Sequence, residues 1–304
     1  MTMRTVIAFT SLVVLTIASM VYAGKDGIPK VRDLSFVVEG RDGILFIPAE
    51  RVKETRQTEV IYSKKAGESI NCPQFLNSSY DILFSKVDYG KNTGGLYWYV
   101  RNDKKLHELV ANTIAISPVV SPDGKNIAFL SNRHFDGKKS LFNLYVYDLR
   151  SKAVNETKSV RVKHDTAYNA SISWFNDRKA IAFTNEEGYI CRIDLDTGQI
   201  IKYIKGYDPI ISPSGMSVLF KTTENKPYRP AIYNFASKEI RKINVFEVLN
   251  AVWSKDDDSI VLVRNVSRLW TWNEWEREVS IYDLKTAKRS KVFNFEGYEY
   301  IDRR

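Results

Sequence analysis

Asp208, Asn250 and Glu299 are the side chains of this sequence best suited to hold a hard cation. Two carboxylates and an amide carbonyl offer oxygen ligands of the kind Ca²⁺ or Mg²⁺ takes. They fall at one equivalent position of a repeating pattern, which Cys72, Ser117 and Ser171 occupy in its other copies. Asp and Asn at such a place also serve a plainer purpose, tying an incoming loop to nearby backbone N–H groups. Both uses stay open. The three histidines are His107, His134 and His164, and Asp165 follows the last. His134 or His164 could act as a base beside a metal, although a solvated loop histidine is the commoner case. No G-x-S-x-G, P-loop, G-x-G-x-x-G or H-E-x-x-H occurs, so the usual signatures of an acyl-transfer nucleophile, of nucleotide binding and of a zinc peptidase are missing. With 2 Cys in the chain, a disulfide scaffold and a multi-cysteine zinc site are excluded. No cofactor is expected unless the oxygen set binds a divalent ion.

A second constellation is aromatic and basic. It comprises Arg133, His134 and Lys138 in one stretch, Tyr228 and Arg229 in another, and Arg268, Trp270, Trp272 and Trp275 in a third. Trp and Arg are the usual anchors of protein interfaces, and flat Trp rings also stack on sugars. Trp270 and Trp272 could instead extend a hairpin and pack internally. Trp275, between Glu274 and Glu276, is expected at an exposed tip.

The elements that position these residues are repeats. SPDGKNIAF at 121–129 is a turn followed by a short apolar strand. FNDRKAIAF at 175–183, SPSGMSVLF at 212–220 and SKDDDSIVL at 254–262 match it, and LNSSYDILF at 76–84 is a weaker copy. A short strand precedes each copy and an alternating strand follows, as in Leu144 to Leu149, Ile190 to Leu195 and Val279 to Leu284. A fourth strand leads on. Four antiparallel strands, here called a to d, recurring about every 45 residues, make the blade of a β-propeller. Residues 34–62 supply strands b to d of a first unit that has no strand a. Gly297 to Ile301 resembles Gly206 to Ile210, which leads into strand a of another copy. The expectation is an all-β, six-bladed propeller of four-stranded antiparallel blades. Its ring is closed by residues 298–302 joining the first blade, which removes free sheet edges. The three loops carrying the aromatic and basic residues are all b–c connections, and therefore share one face.

The SPDG turn, the I-A-F strand and the L-Y-V-Y-D-L strand resemble the TolB-type propeller repeat, over roughly residues 34–302. The resemblance implies this fold. It implies a role in docking partners in the cell envelope, or kinship with propellers attached to serine peptidases and some lyases. TolB carries an α/β domain before its propeller, whereas only Gly24 to Asp33 lie between the leader and the repeats here. The contacts of that domain therefore do not transfer.

Residues 1–23 read as a secretory signal peptide. Arg4 precedes an apolar run from Val6 to Ala18, and Val21-Tyr22-Ala23 places small residues before a cut. An uncleaved anchor is the alternative, since the run approaches the ~20 residues that span a bilayer. No later segment is long and apolar enough to span. The expected organisation is a signal peptide over 1–23 and one propeller domain over 24–304, in the periplasm or secreted. The 304 residues carry a formal charge of +9 and are 44% hydrophobic. That is enough for a sizeable core. Export makes nucleic acid an unexpected partner, and the basic excess suits an acidic protein, a charged glycan or anionic lipid head groups. Taken together, the residues point to an exported, monomeric, non-catalytic propeller that binds an envelope protein through its basic, aromatic loop face. The alternatives are a divalent-metal hydrolase or lyase with its site at the channel mouth, and a glycan-binding propeller.

Overall fold

The computed structural model describes residues 15–16, 36–40, 43–47, 59–76, 81–88, 91, 93–132, 141–163, 172–222, 229–245, 248–254, 257–265 and 275–297. The protein is an all-β propeller of four-stranded antiparallel blades. Among the described residues, five consecutive blades follow the a-to-d order that the repeats dictate. The earliest holds β5 (Glu68–Phe75), β6 (Ile82–Asp88), β7 (Thr93–Val100) and β8 (Lys105–Val110). The next holds β9 (Ala115–Val120), β10 (Asn126–Ser131), β11 (Leu141–Asp148) and β12 (Val154–Lys163). Then come β13 (Ser173–Trp174), β14 (Ala180–Thr184), β15 (Tyr189–Asp194) and β16 (Ile200–Lys205). The fourth of these blades holds β17 (Tyr207–Ile211), β18 (Ser217–Lys221), β19 (Pro230–Asn234) and β20 (Ile240–Lys242). The last holds β21 (Val248–Trp253), β22 (Ser259–Asn265), β23 (Trp275–Asp283) and β24 (Arg289–Gly297).

The start of the chain departs from expectation. β2 (Phe36–Gly40), β3 (Gly43–Ile47) and β4 (Glu59–Ser63) pair as strands b to d. The inner position beside β2, expected for residues 298–302, is held by β1 (Leu15–Thr16), which pairs Leu15 with Val38 and Thr16 with Val37. The strand thus comes from the expected leader, and residues 298–302 lie outside the described residues. Two residues of pairing carry little alternation, so the apolar run of the leader can meet an open edge as well as a designated strand can. No helix among the described residues is long and apolar enough to cross a membrane.

Strand b is the centre of each blade. Phe84, Phe129, Phe183, Phe220 and Leu262, which end the five repeat copies, are all buried. Both faces of this strand are covered because each blade is sandwiched between neighbours. Ile127, Ala128, Phe129 and Leu130, four in succession, are therefore buried. A run buried on both faces loses the polar alternation of a one-sided strand, and each of its Ile, Phe and Leu side chains contributes about 1.5–3 kcal/mol. The core is accordingly divided into layers between blades. Phe129, Tyr145 and Leu83 share one layer, and Leu130, Trp174 and Ile181 share the next.

Carboxylates organise several of the turns. In the a–b turn, Ser121 Oγ donates to Asp123 Oδ1 at 2.7 Å and accepts from the Asn126 N–H at 2.9 Å. In the c–d turns, Asp148 accepts the N–H groups of Arg150 and Ser151, Asp194 that of Thr197, and Asp283 that of Thr286. The Ser121 hydroxyl holds the Asp123 carboxyl below its ordinary value, and backbone N–H bonds from Ser151, Thr197 and Thr286 do the same for Asp148, Asp194 and Asp283. Depressed folded-state pKa values give stability that is present above about pH 3.9, the unfolded aspartate value, and lost as pH falls through the folded ones. We therefore expect the melting temperature to fall below pH 4. A variant with Asp148, Asp194 and Asp283 changed to Asn should lose less over that range than the wild type. Equal losses in thermal unfolding at pH 5 and pH 3 would refute the assignment.

Candidate functional site

The inner strands carry the position singled out in the sequence. Cys72, Ser117 and Asp208 stand there with φ of 49°, 50° and 54°. Each is followed by proline, as Cys72-Pro73, Ser117-Pro118 and Asp208-Pro209. A left-handed residue that is not glycine is uncommon, and proline further restricts the residue before it. In each case the ladder to strand b slips at that point, between Asn71 and Gln74, between Ile116 and Val119, and between Tyr207 and Ile210. These are β-bulges, which bend a strand and re-aim its side chains. Asn250 sits beside a comparable slip, between Val248 and Asn250. The expected start of strand a is thus a recurrent bulge within it.

The polar groups there are used differently from blade to blade. Asp208 Oδ2 lies 2.6 Å from Lys221 Nζ, and both side chains are largely buried. The Asn250 side-chain oxygen accepts the N–H of Ala251 at 2.9 Å, the loop-tying use anticipated for such residues. Ser117 is 4% exposed, and its hydroxyl has no hydrogen-bond partner. Ser171 and Glu299 lie outside the described residues. Among the described residues, no three His, Cys, Asp or Glu side chains gather as a metal site. The lysine beside Asp208 was not anticipated. Its signal is the pairing of Tyr207 with Lys221, which follows once the bulge is recognised from its proline.

Side chains just after the bulge join each blade to the next. Gln74 donates to the Pro118 carbonyl and accepts the Val120 N–H at 3.4 Å. Trp174 Nε1 donates to the Val119 carbonyl at 3.1 Å, and Trp253 Nε1 to that of Ile210 at 2.9 Å. Val119 and Ile210 occupy equivalent places, two residues beyond Ser117 and Asp208. The Ser173 hydroxyl accepts the Ile211 N–H at 3.0 Å.

A second chain of contacts fixes the two faces. Arg178 lies 3.6 Å from Asp123, Asn176 donates to the Pro213 carbonyl, and the Ser214 N–H donates to Asp257 at 3.2 Å. Each joins the a–b turn of one blade to that of the next, so these turns share a face. The connections after β10, β18 and β22, at 132–140, 222–229 and 266–274, leave the opposite ends of their blades. Thr222 N–H donates to the Arg229 carbonyl at 3.0 Å across the base of the second, and Arg229 is exposed there. Trp275 opens β23 opposite Gly297. Arg133, His134, Lys138, Tyr228, Arg268, Trp270 and Trp272 lie outside the described residues, as does His164. His107 lies instead on β8, its ring 5.7 Å from that of Trp98.

Both cysteines are free thiols. Cys72 is partly buried and Cys191 fully so. Burial pushes the Cys191 thiol up to about 11, which leaves it protonated and inert at neutral pH.

No protein-family model and no curated protein matches the sequence. Solved structures do match the fold. TolB from Acinetobacter baumannii superposes with a TM-score of 0.62 at 15% identity, over 88% of this chain and 61% of that one. A Mycobacterium tuberculosis puromycin-hydrolyzing peptidase gives 0.60 at 12% identity, over 88% of this chain and 43% of that one. A putative TolB from Agrobacterium tumefaciens gives 0.57 at 16% identity, over 81% of this chain and 88% of that one. The match spans less than two thirds of the first two of these proteins. On its blade architecture and these superpositions, the chain has the fold of the TolB-type β-propellers.

Proposed function

We propose that this protein is an exported, non-catalytic propeller that docks a protein of the cell envelope on its b–c face. One observation carries the reading. The linked a–b turns occupy one face, so the strand ends that bear the three connections rich in Arg, Lys and Trp lie on the other. Trp and Arg gathered on one face are the composition of interface anchors. The fold shared with TolB supports a docking role. Hydrolysis is not carried over from the peptidase, because the match leaves more than half of that chain uncovered. A divalent ion on Asp208, Asn250 and Glu299 is left out of the reading, since Lys221 already supplies a cation to Asp208. The reading also holds that residues 1–23 are removed on export to the periplasm. The place of Leu15–Thr16 beside β2 then falls to 298–302, which completes a sixth blade in a monomeric ring.

The test replaces Arg268, Trp270, Trp272 and Trp275 together by alanine. Binding hot spots are worth about 2 kcal/mol or more each, so cross-linked partner recovered from envelope extract should fall at least tenfold, with the melting temperature unchanged. Unchanged recovery from a folded variant overturns the proposal. Retention of the wild type, but not the variant, on polysaccharide beads with no protein captured would assign the face to a glycan instead.

A further inference from the structure

The outermost strands of the last three blades carry an unusual sequence. They read Ile200-Ile201-Lys202-Tyr203-Ile204-Lys205 in β16, Ile240-Arg241-Lys242 in β20 and Arg289-Ser290-Lys291 at the start of β24. These stretches hold six cations and no acid, and all six cations are exposed. Of the six, Lys202 and Arg289 have carboxylate partners, and the stretches keep an excess of base over acid. Glu187 pairs with Lys202 at 2.6 Å, Asp196 with Lys179 at 3.7 Å and Glu278 with Arg264 and Arg289, while Glu239 accepts from the Ser237 hydroxyl.

Exposed apolar side chains stand among these cations. Ile200, Ile201 and Ile240 are 46%, 41% and 50% exposed, and Met216 is 64% exposed. They form one arc. The Tyr203 ring lies 4.7 Å from that of Phe235 in the next blade, and Arg241 donates to the Leu284 carbonyl in the blade after that. The Met216 carbonyl accepts the Phe235 N–H at 3.0 Å, which brings Met216 to the same turn. Ile200 and Ile240 open their strands directly after c–d turns, so the arc borders the face of the a–b turns, away from the b–c loops.

We propose that this arc is a membrane-docking surface that rests on the anionic head groups of a phospholipid bilayer. Charge complementarity selects an anionic partner, and the apolar side chains select among anionic partners. A soluble polyanion would satisfy the lysines and arginines but leave Ile200, Ile201, Met216 and Ile240 in water. A bilayer interface takes both, the cations at the phosphates and the apolar groups at the acyl boundary. The protein would lie on the membrane with its b–c loops turned away from it.

The experiment uses the full chain with Cys72→Ser, so that no half-exposed native thiol competes for label. A polarity-sensitive fluorophore is attached at Ile240→Cys or, for comparison, at Lys91→Cys in the b–c hairpin of the β5–β8 blade. Vesicles containing phosphatidylglycerol should shift the emission at position 240 to the blue and leave position 91 unchanged. Phosphatidylcholine vesicles should do neither, and 0.5 M salt should reverse the shift. Ile200→Ser with Ile201→Ser should lower the vesicle-bound fraction at least fivefold. No shift at 240 on phosphatidylglycerol, an equal shift at 91, or an equal response to soluble polyphosphate would each overturn the proposal. The equal shift at 91 is the signature of a chain tethered only by its first residues.

Discussion

Replacing Trp253 by alanine should cost about 3–5 kcal/mol, the range for removing a large aromatic side chain from a core. Trp253 is 7% exposed and packs with Leu219, Ile260 and Leu262 between two blades. It also supplies the indole N–H that the Ile210 carbonyl accepts at 2.9 Å. The carbonyl is left without this donor when the indole is removed, and an unsatisfied buried group adds its own penalty. Trp253→Phe keeps a phenyl ring in the site while losing the donor and part of the indole's bulk. It should cost less than the alanine variant but more than the ~1 kcal/mol net worth of a typical hydrogen bond. Urea denaturation of both variants gives the values. A loss below about 1 kcal/mol for the alanine variant would mean that the two blades are not joined at this point. With ordinary domain stability near 5–15 kcal/mol, the expected loss is a large share of the whole.

Gly95→Ala should be nearly as damaging, for a different reason. Gly95 lies within β7, and a Cβ built on it would stand 2.2 Å from the Val110 carbonyl oxygen of β8. That neighbour is backbone and cannot rotate away. The strands must separate, at the expense of the ladder that pairs Leu96 with Val110. Overpacking a core costs about 1–3 kcal/mol where side chains can adjust. We expect roughly the upper end here, because the obstruction is a main-chain carbonyl. Gly94 is constrained in the same way by the Lys86 carbonyl, at 2.4 Å. Thermal unfolding of Gly95→Ala within about 0.5 kcal/mol of the wild type would show that the close approach is not a constraint.

Both positions belong to a fold whose plan is legible in the repeats. Phe84, Phe129, Phe183, Phe220 and Leu262 mark the b strands of the five later blades because such a strand must be apolar on both faces. The D-L pairs at 148–149, 194–195 and 283–284, closing three of the c strands, mark the next turn, because a carboxylate there collects backbone N–H groups. The inner strands were harder to read. Asp208, Ser117 and Cys72 were recognised as equivalent, but the left-handed bulge was not, although the proline after each one announces an irregular ladder. Lys221 was missed for the same reason, since the bulge sets which residue of β18 faces Asp208. The edge beside β2 was the least legible, because a pairing as short as Leu15–Thr16 depends on which apolar segment is near rather than on periodicity. In the sequence the outer strands show only as a fourth strand leading on from the third. Their basic and apolar surface emerged once β16, β20 and β24 were placed at the outer edges of three successive blades.

The ties between inner strands have a consequence for symmetry. Gln74, Ser173, Trp174 and Trp253 all reach a neighbouring main chain just past the bulge, yet a glutamine, a serine and an indole differ in length and in whether they give or accept a proton. The steps around the axis are therefore not interchangeable. A blade transplanted from one station of the circle to another would arrive with the wrong reach and the wrong polarity at its seam, so the order of the units is written into the hub as firmly as into the loops.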